Sequence, residues 1–132
     1  MSRTHALAIF DAALKAADPV RAVLDHVTLR GDSLSAGGKL YDLKKFDRIQ
    51  VIGAGKASAR MALAVEKLLG ARVSGGWVNV PDANAANLRR VHLHEAGHPI
   101  PDERSVAGAQ SIAEIAKRAG NRDLLICVIS GG

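Results

Sequence analysis

The residues best equipped for chemistry in this 132-residue sequence are Ile49-Gln50-Val51-Ile52-Gly53-Ala54-Gly55-Lys56-Ala57-Ser58. A short apolar run meets Gly-x-Gly-Lys and then becomes a helical pattern, which reads as a strand turning into a helix around a bound anion. Glycines let the backbone turn tightly and approach a ligand, and the free N–H groups at a helix start favour negative charge. Lys56 adds a full positive charge to that turn. Neither common phosphate loop is matched: a dinucleotide fingerprint carries a third glycine where this chain has Ser58, and a Walker loop is longer before its Gly-Lys. A plain strand-to-helix turn has the same local sequence, so the motif alone does not decide between ligand site and turn.

A second candidate follows Asp123-Leu124-Leu125-Ile126-Cys127-Val128-Ile129, a nearly unbroken apolar run of the kind found in strands covered on both faces. Ser130-Gly131-Gly132 then forms a turn whose N–H groups suit an anion-binding nest. Such a strand normally feeds a helix, so the sequence is expected to be the N-terminal fragment of something longer, with only part of the site. In the same apolar strand, Cys127 is expected to be a small buried hydrophobe.

The third candidate is Glu95-Ala96-Gly97-His98-Pro99-Ile100-Pro101-Asp102, a loop stiffened by two prolines, with His98 and Asp102 as its polar members. Asp102 suits either ligand contact or capping of a following helix, and His98 either ligand contact or a loop-organising hydrogen bond. His94-Glu95-Ala96-Gly97-His98 also matches the zinc-protease pattern, which requires both histidines one helical turn apart. Gly97, Pro99 and the strand-like residues before His94 argue against that helix, and no metal site is expected within the chain.

Composition narrows the function classes. A net charge of +5 could suit nucleic acid, but the basic residues are scattered among acidic ones and only 3% of residues are aromatic, so nucleic acid is not expected and anionic small molecules fit equally well. No apolar stretch approaches membrane-spanning length, so no membrane partner is expected. Asp11, Lys15 and Asp18 interrupt the N-terminal apolar residues, unlike a signal peptide. A single cysteine makes no internal disulfide, and the cytoplasm is the expected location.

These residues must be positioned by a scaffold that the periodicities outline. Leu7, Phe10, Ala13, Leu14 and Ala17 mark an amphipathic helix over 4–17, and a short second helix starts at Pro19. Residues 28–46 read as loop with a short extended piece at 39–43. A strand over 48–52 leads to a helix over 56–69 ended by Gly70, with Met61, Ala62, Val65, Leu68 and Leu69 on its buried face. Strands follow over 75–80 and 90–94. A helix after Asp102, burying Val106, Ala109, Ile112, Ala113, Ile115 and Ala116, precedes the terminal strand. Strands separated by helices predict a three-layer α/β/α fold with a Rossmann-like, largely parallel sheet, whose ligands lie beyond the strands' C-terminal ends.

Together, the Val51–Ser58, Glu95–Asp102 and Ile129–Gly132 motifs resemble the N-terminal domain of the glycerate 2-kinase family that carries a C-terminal MOFRL domain, some of whose members are labelled hydroxypyruvate reductase. The resemblance runs over the whole chain. It implies ATP-dependent phosphorylation of the 2-hydroxyl of D-glycerate, giving 2-phosphoglycerate, with a divalent metal such as Mg2+, in a cleft between a large Rossmann-like domain and the MOFRL domain. Residues 1–132 then form the N-terminal part of the large domain, and the isolated chain is expected to be inactive. Lys56 is implied as the active-site cation. Gly53, Gly55, Ser130, Gly131, Gly132, His98 and Asp102 are the candidate phosphate- or substrate-binding positions. The alternatives are an NAD(P)H-dependent hydroxypyruvate reductase and a non-catalytic module that holds a phosphorylated ligand.

Overall fold

The structure, a computed structural model, describes residues 1–131. Helix α1 (Arg3–Ala16) starts where the Ser2 side chain accepts the His5 amide, and α2 (Pro19–His26) starts at an Asp18 cap with proline in its first turn. Three short strands follow as an antiparallel meander: β1 (Val27–Arg30), β2 (Ser33–Ala36) and β3 (Lys39–Asp42). The remaining elements are β4 (Arg48–Ala54), α3 (Ser58–Leu69), β5 (Gly75–Pro81), β6 (His92–Ala96), α4 (Glu103–Arg118) and β7 (Asp123–Ile129).

The last four strands form one parallel sheet in the order β6-β5-β4-β7. Numbered along the chain, that order is 3-2-1-4, the first part of the doubly wound dinucleotide-binding arrangement. Helix α3 packs on one face of the sheet and α4 on the other, so the three-layer α/β/α expectation holds. The core lies between α3 and the sheet: Ile49, Val51, Val78, Val80 and Val128 meet Ala62, Val65 and Leu69. Helix α2 and the meander close its outer side through Val23, Val27, Leu29 and the buried Leu34.

The structure departs from the sequence reading at five places. Residues 28–46 are not a loop, because Gly31-Asp32 and Gly37-Gly38 each form a two-residue hairpin turn, with φ near +60° at Gly31 and Gly37. Helix α1 forms, but none of its residues is buried and Leu7, Phe10 and Leu14 are all more than half exposed. The strand placed at 90–94 begins only at His92, since the amides of Arg89, Arg90 and Val91 donate to the Glu66 carboxylate instead of to a neighbouring strand. Helix α4 is rotated from the expected phase: it turns Ser105, Gly108, Ser111, Ile112 and Ile115 inward and leaves Val106, Ala109, Ala113 and Ala116 exposed. Its only fully buried residue is Gly108, where a Cβ would overlap the Asn79 side chain.

The fifth departure concerns β7. Among the described residues it is the outermost strand of the sheet, and α4 lies over β5 and β6 rather than over it. Leu124, Ile126 and Val128 point to the core, whereas Cys127 and Ile129 on the opposite face are exposed among the described residues, where Cys127 is therefore not the buried hydrophobe its strand suggested.

Candidate functional site

Strand β4 ends at Ala54, and the chain turns through Gly55-Lys56-Ala57 before α3 begins at Ser58. Gly55 has φ +123°, a conformation that L side chains rarely adopt, and its amide donates to the Asn79 carbonyl of β5 at 3.0 Å. The Ser58 amide donates to the Gly55 carbonyl at 3.1 Å and closes the turn. Ser58 is fully buried, and its hydroxyl donates to the Ala54 carbonyl at 2.6 Å. Position 58 therefore carries a hydroxyl that ties the helix start to the last strand carbonyl, where a dinucleotide fold carries glycine to let helix and strand approach.

The second turn meets the first. Ser130 donates its amide to the same Ala54 carbonyl at 3.1 Å, and its Oγ accepts the Ala57 amide at 3.0 Å. A side chain at Gly55 would overlap both the carbonyl and the hydroxyl of Ser130, and one at Gly53 would overlap Val128. The parallel pairing of β4 with β7 puts both turns at the same end of the sheet. This is where the strand order reverses direction, the position at which open α/β sheets hold ligands. Gly131 is exposed beside it, while Gly132 lies outside the described residues.

The electrostatics of this junction favour an anion. Among the described residues, the amides of Lys56, Ala59 and Arg60 have no acceptor, as expected at the start of a helix. Lys56 is exposed and makes no ion pair among the described residues. Arg60, one turn on, spends its charge on Asp18 at 2.9 Å.

Across a recess of about 220 Å³, the turn at Gly55 faces the loop that follows β6. Gly97, His98 and Ser105 line that recess together with Gly55 and Asn79. His98 is exposed and its ring makes no hydrogen bond among the described residues. Asp102 does not line the recess. It caps α4 in a reciprocal capping box with Ser105, accepts the Gly97 amide at 3.2 Å, and takes the Arg104 guanidinium at 2.7 and 2.9 Å. The Arg104 guanidinium foremost, then those backbone amides, hold its carboxyl below the ordinary range. Of the two roles open to Asp102, the cap is the one seen in this structure.

No motif in the sequence singles out Arg104. Arg104 reaches from α4 to both carboxylate oxygens of Asp82, at 2.7 and 2.9 Å, and lowers the Asp82 carboxyl as well. Asp82 directly follows Pro81, the end of β5, but no sequence spacing pairs it with Arg104. The zinc-protease pattern dissolves: His94 sits on β6, its Nε2 donating to the Arg104 carbonyl at 2.8 Å, and His98 sits in the following loop rather than on a shared helix.

A family described as "Domain of unknown function (DUF4147)" matches residues 5–132. A Pyrococcus horikoshii protein named glycerate 2-kinase is 39% identical over 130 residues, which cover 98% of this chain and 29% of that protein. An Agrobacterium vitis protein named putative hydroxypyruvate reductase is 36% identical over 124 residues, covering 94% of this chain and 25% of the relative. A crystal structure of a Pyrococcus horikoshii OT3 protein superposes with a TM-score of 0.81 at 38% identity, over 95% of this chain and 28% of that one. The chain thus spans between a quarter and three tenths of the length of these relatives.

Proposed function

The chain belongs to the DUF4147 family, and from that premise we propose that it forms the N-terminal part of the large Rossmann-like domain of a glycerate 2-kinase, completed by a MOFRL domain outside residues 1–132. The observation that carries this reading is the junction at the sheet's switch point, where the Ala57 amide meets the Ser130 hydroxyl beside unpaired amides and Lys56. Relatives of this chain named glycerate kinase support the same reading.

Phosphoryl transfer asks a protein mainly to position reactants and neutralise charge. The 2-hydroxyl oxygen of D-glycerate bonds to the γ-phosphorus of ATP as the bond from that phosphorus to the ADP oxygen breaks, yielding 2-phosphoglycerate, ADP and the proton released from the hydroxyl. The Lys56 and Arg60 amides hold phosphate or carboxylate oxygens, and the Lys56 ammonium offsets the charge that builds on the transferring group. Gly53 and Gly55 keep the ligand's approach free of side chains. Gly131 extends the second turn, and His98 bounds the recess on the far side. Mg2+ or another divalent cation requires converging oxygen ligands, and no three His, Cys, Asp or Glu side chains converge among the described residues. A nucleotide-bound Mg2+ would take most of its ligands from phosphate oxygens and water.

The names of some relatives point to a reductase instead. Its nicotinamide cofactor needs an acid after the second strand to hold ribose hydroxyls. Asp82 occupies that position, but Arg104 takes both of its oxygens, and Ser58 fills the place of the third glycine. Kinase chemistry fits these residues better. Among the described residues no helix is long and apolar enough to cross a membrane.

The test is turnover by the full-length protein supplied with ATP, Mg2+ and D-glycerate, with the product identified by coupling to enolase. Formation of 2-phosphoglycerate is expected, and none from the 132-residue chain alone. NADH or NADPH oxidation by hydroxypyruvate, without phosphorylation of glycerate, would replace the kinase reading with the reductase. Ligand binding without either reaction would leave a non-catalytic module.

A further inference from the structure

We propose that Arg104 is a positioning residue for the ligand recess: its guanidinium locks the 97–102 loop against the end of β5 and thereby sets where Gly97 and His98 face the Gly55 turn. The proposal rests on the kinase reading only for the identity of the anionic ligand.

Arg104 joins three elements. Nη1 and Nη2 donate to the two Asp82 oxygens after β5, and Nε and Nη2 donate to Asp102 Oδ2 in the loop. Its own carbonyl accepts His94 Nε2 from β6. Asp102 Oδ2 in turn accepts the Gly97 amide at 3.2 Å, closing the loop on itself. The Asp82 amide donates to the Ala96 carbonyl at 3.2 Å, so the two strand ends are joined immediately before the loop leaves. Only a planar fork can serve both carboxylates at once; a lysine ammonium supplies the charge without that geometry.

The side chains involved are 39–56% exposed. Ion pairs at such exposure add little to global stability. A network of this kind, spanning a loop that lines a recess, acts chiefly on where the loop sits. Misplacing a recess wall by a fraction of the ligand's size is costly, because productive geometry tolerates little displacement.

The decisive experiment compares wild-type full-length protein with Arg104→Gln, Arg104→Lys and Asp82→Asn. Hydrogen exchange at the Gly97 amide and calorimetric titration with inorganic pyrophosphate are both measured. The expected result is about tenfold faster Gly97 exchange in Arg104→Gln and Asp82→Asn, with the thermal midpoint close to wild type. Pyrophosphate affinity, and KM for D-glycerate where turnover is present, should weaken by about tenfold to a hundredfold. Arg104→Lys should recover only part of the loss. Unchanged Gly97 protection overturns the proposal, as does a loosened loop with unchanged affinity or a wild type that does not bind pyrophosphate. Absence of glycerate phosphorylation by the wild type counts against the kinase reading alone, since neither exchange nor titration requires turnover.

Discussion

The amide of Ala57 donates to the hydroxyl of Ser130 across 3.0 Å, joining two turns that lie 73 residues apart in sequence. Each turn follows its own strand, β4 or β7, and the Ala54 carbonyl between them accepts from both Ser58 Oγ and the Ser130 amide. The junction is therefore a property of the pair of strands, and either turn alone is an ordinary connection.

Ser130→Ala should expose this coupling as a modest loss of stability. It leaves the Ala57 amide without its acceptor at a partly buried position, at a cost of about 1 kcal/mol. That corresponds to a fall of roughly 3 to 5 °C in the midpoint of thermal unfolding for a chain of this size. Gly55→Ala should be worse, because the new methyl overlaps the Ser130 carbonyl and the residue sits at φ +123°. Differential scanning calorimetry of the two variants decides the order, and a Gly55→Ala protein as stable as wild type contradicts the packing described.

Glu66 links stability to pH. Burial alone pushes its carboxyl up, but the amides of Arg89, Arg90 and Val91 outweigh that and hold it below its ordinary value of 4.5. A carboxyl lowered by folding stabilises the native state at pH values above 4.5, and that contribution fades as the pH falls through the native value. Glu66→Gln presents an amide where three N–H donors converge, and should cost about 1 to 3 kcal/mol at neutral pH. Urea unfolding at pH 7 and at acid pH should show the gap between variant and wild type closing at low pH. A gap that stays constant removes Glu66 from the pH dependence.

Much of this architecture was legible in the sequence because apolar periodicity reports directly on which side of an element is covered. The β4–α3 unit and its Gly70 stop follow from that rule. Periodicity gives only the pattern within an element, and that is why it misplaces the phase of α4. Alanine is tolerated on either side of a helix, so Ala109, Ala113 and Ala116 gave a false phase to α4, while Gly108 marks the true contact. The run Leu124–Ile129 reads as covered on both faces, but what covers a strand is not written in the strand, and among the described residues α4 lies over β5 and β6 instead. In the site, the two glycine turns were readable as motifs because their chemistry is in the backbone. Arg104 was not, since its two carboxylate partners come from separate segments that only the fold brings together.

Gly108 offers a direct check on the phase of α4. A Cβ there would overlap the Asn79 amide, which also accepts Trp77 Nε1 at 2.9 Å. Gly108→Val should therefore displace α4 from β5 and lower stability by about 1 to 3 kcal/mol through overpacking. The same substitution at exposed Ala109 should change stability by less than about 1 kcal/mol, reflecting helix propensity alone. If the two variants unfold at the same urea concentration, the contact between α4 and β5 is misassigned.

Lys56 provides the sharpest test of the chemistry. It stands exposed at the turn before α3, beside amides without acceptors, and makes no ion pair among the described residues. A cation so placed can interact more strongly with the transferring phosphoryl group than with the ground state, and losing one such interaction raises a barrier by about 3 to 4 kcal/mol. In the full-length protein Lys56→Ala should lower kcat for D-glycerate by roughly a hundredfold or more. The thermal midpoint should hardly move, because an exposed lysine with no partner contributes little to folding. Lys56→Arg keeps the charge but spreads it over a planar fork, and should recover only part of the rate. Steady-state kinetics with ATP and glycerate both saturating distinguish the outcomes. A Lys56→Ala enzyme that turns over at the wild-type rate would exclude Lys56 from the mechanism and reduce Gly53 to Lys56 to a structural turn.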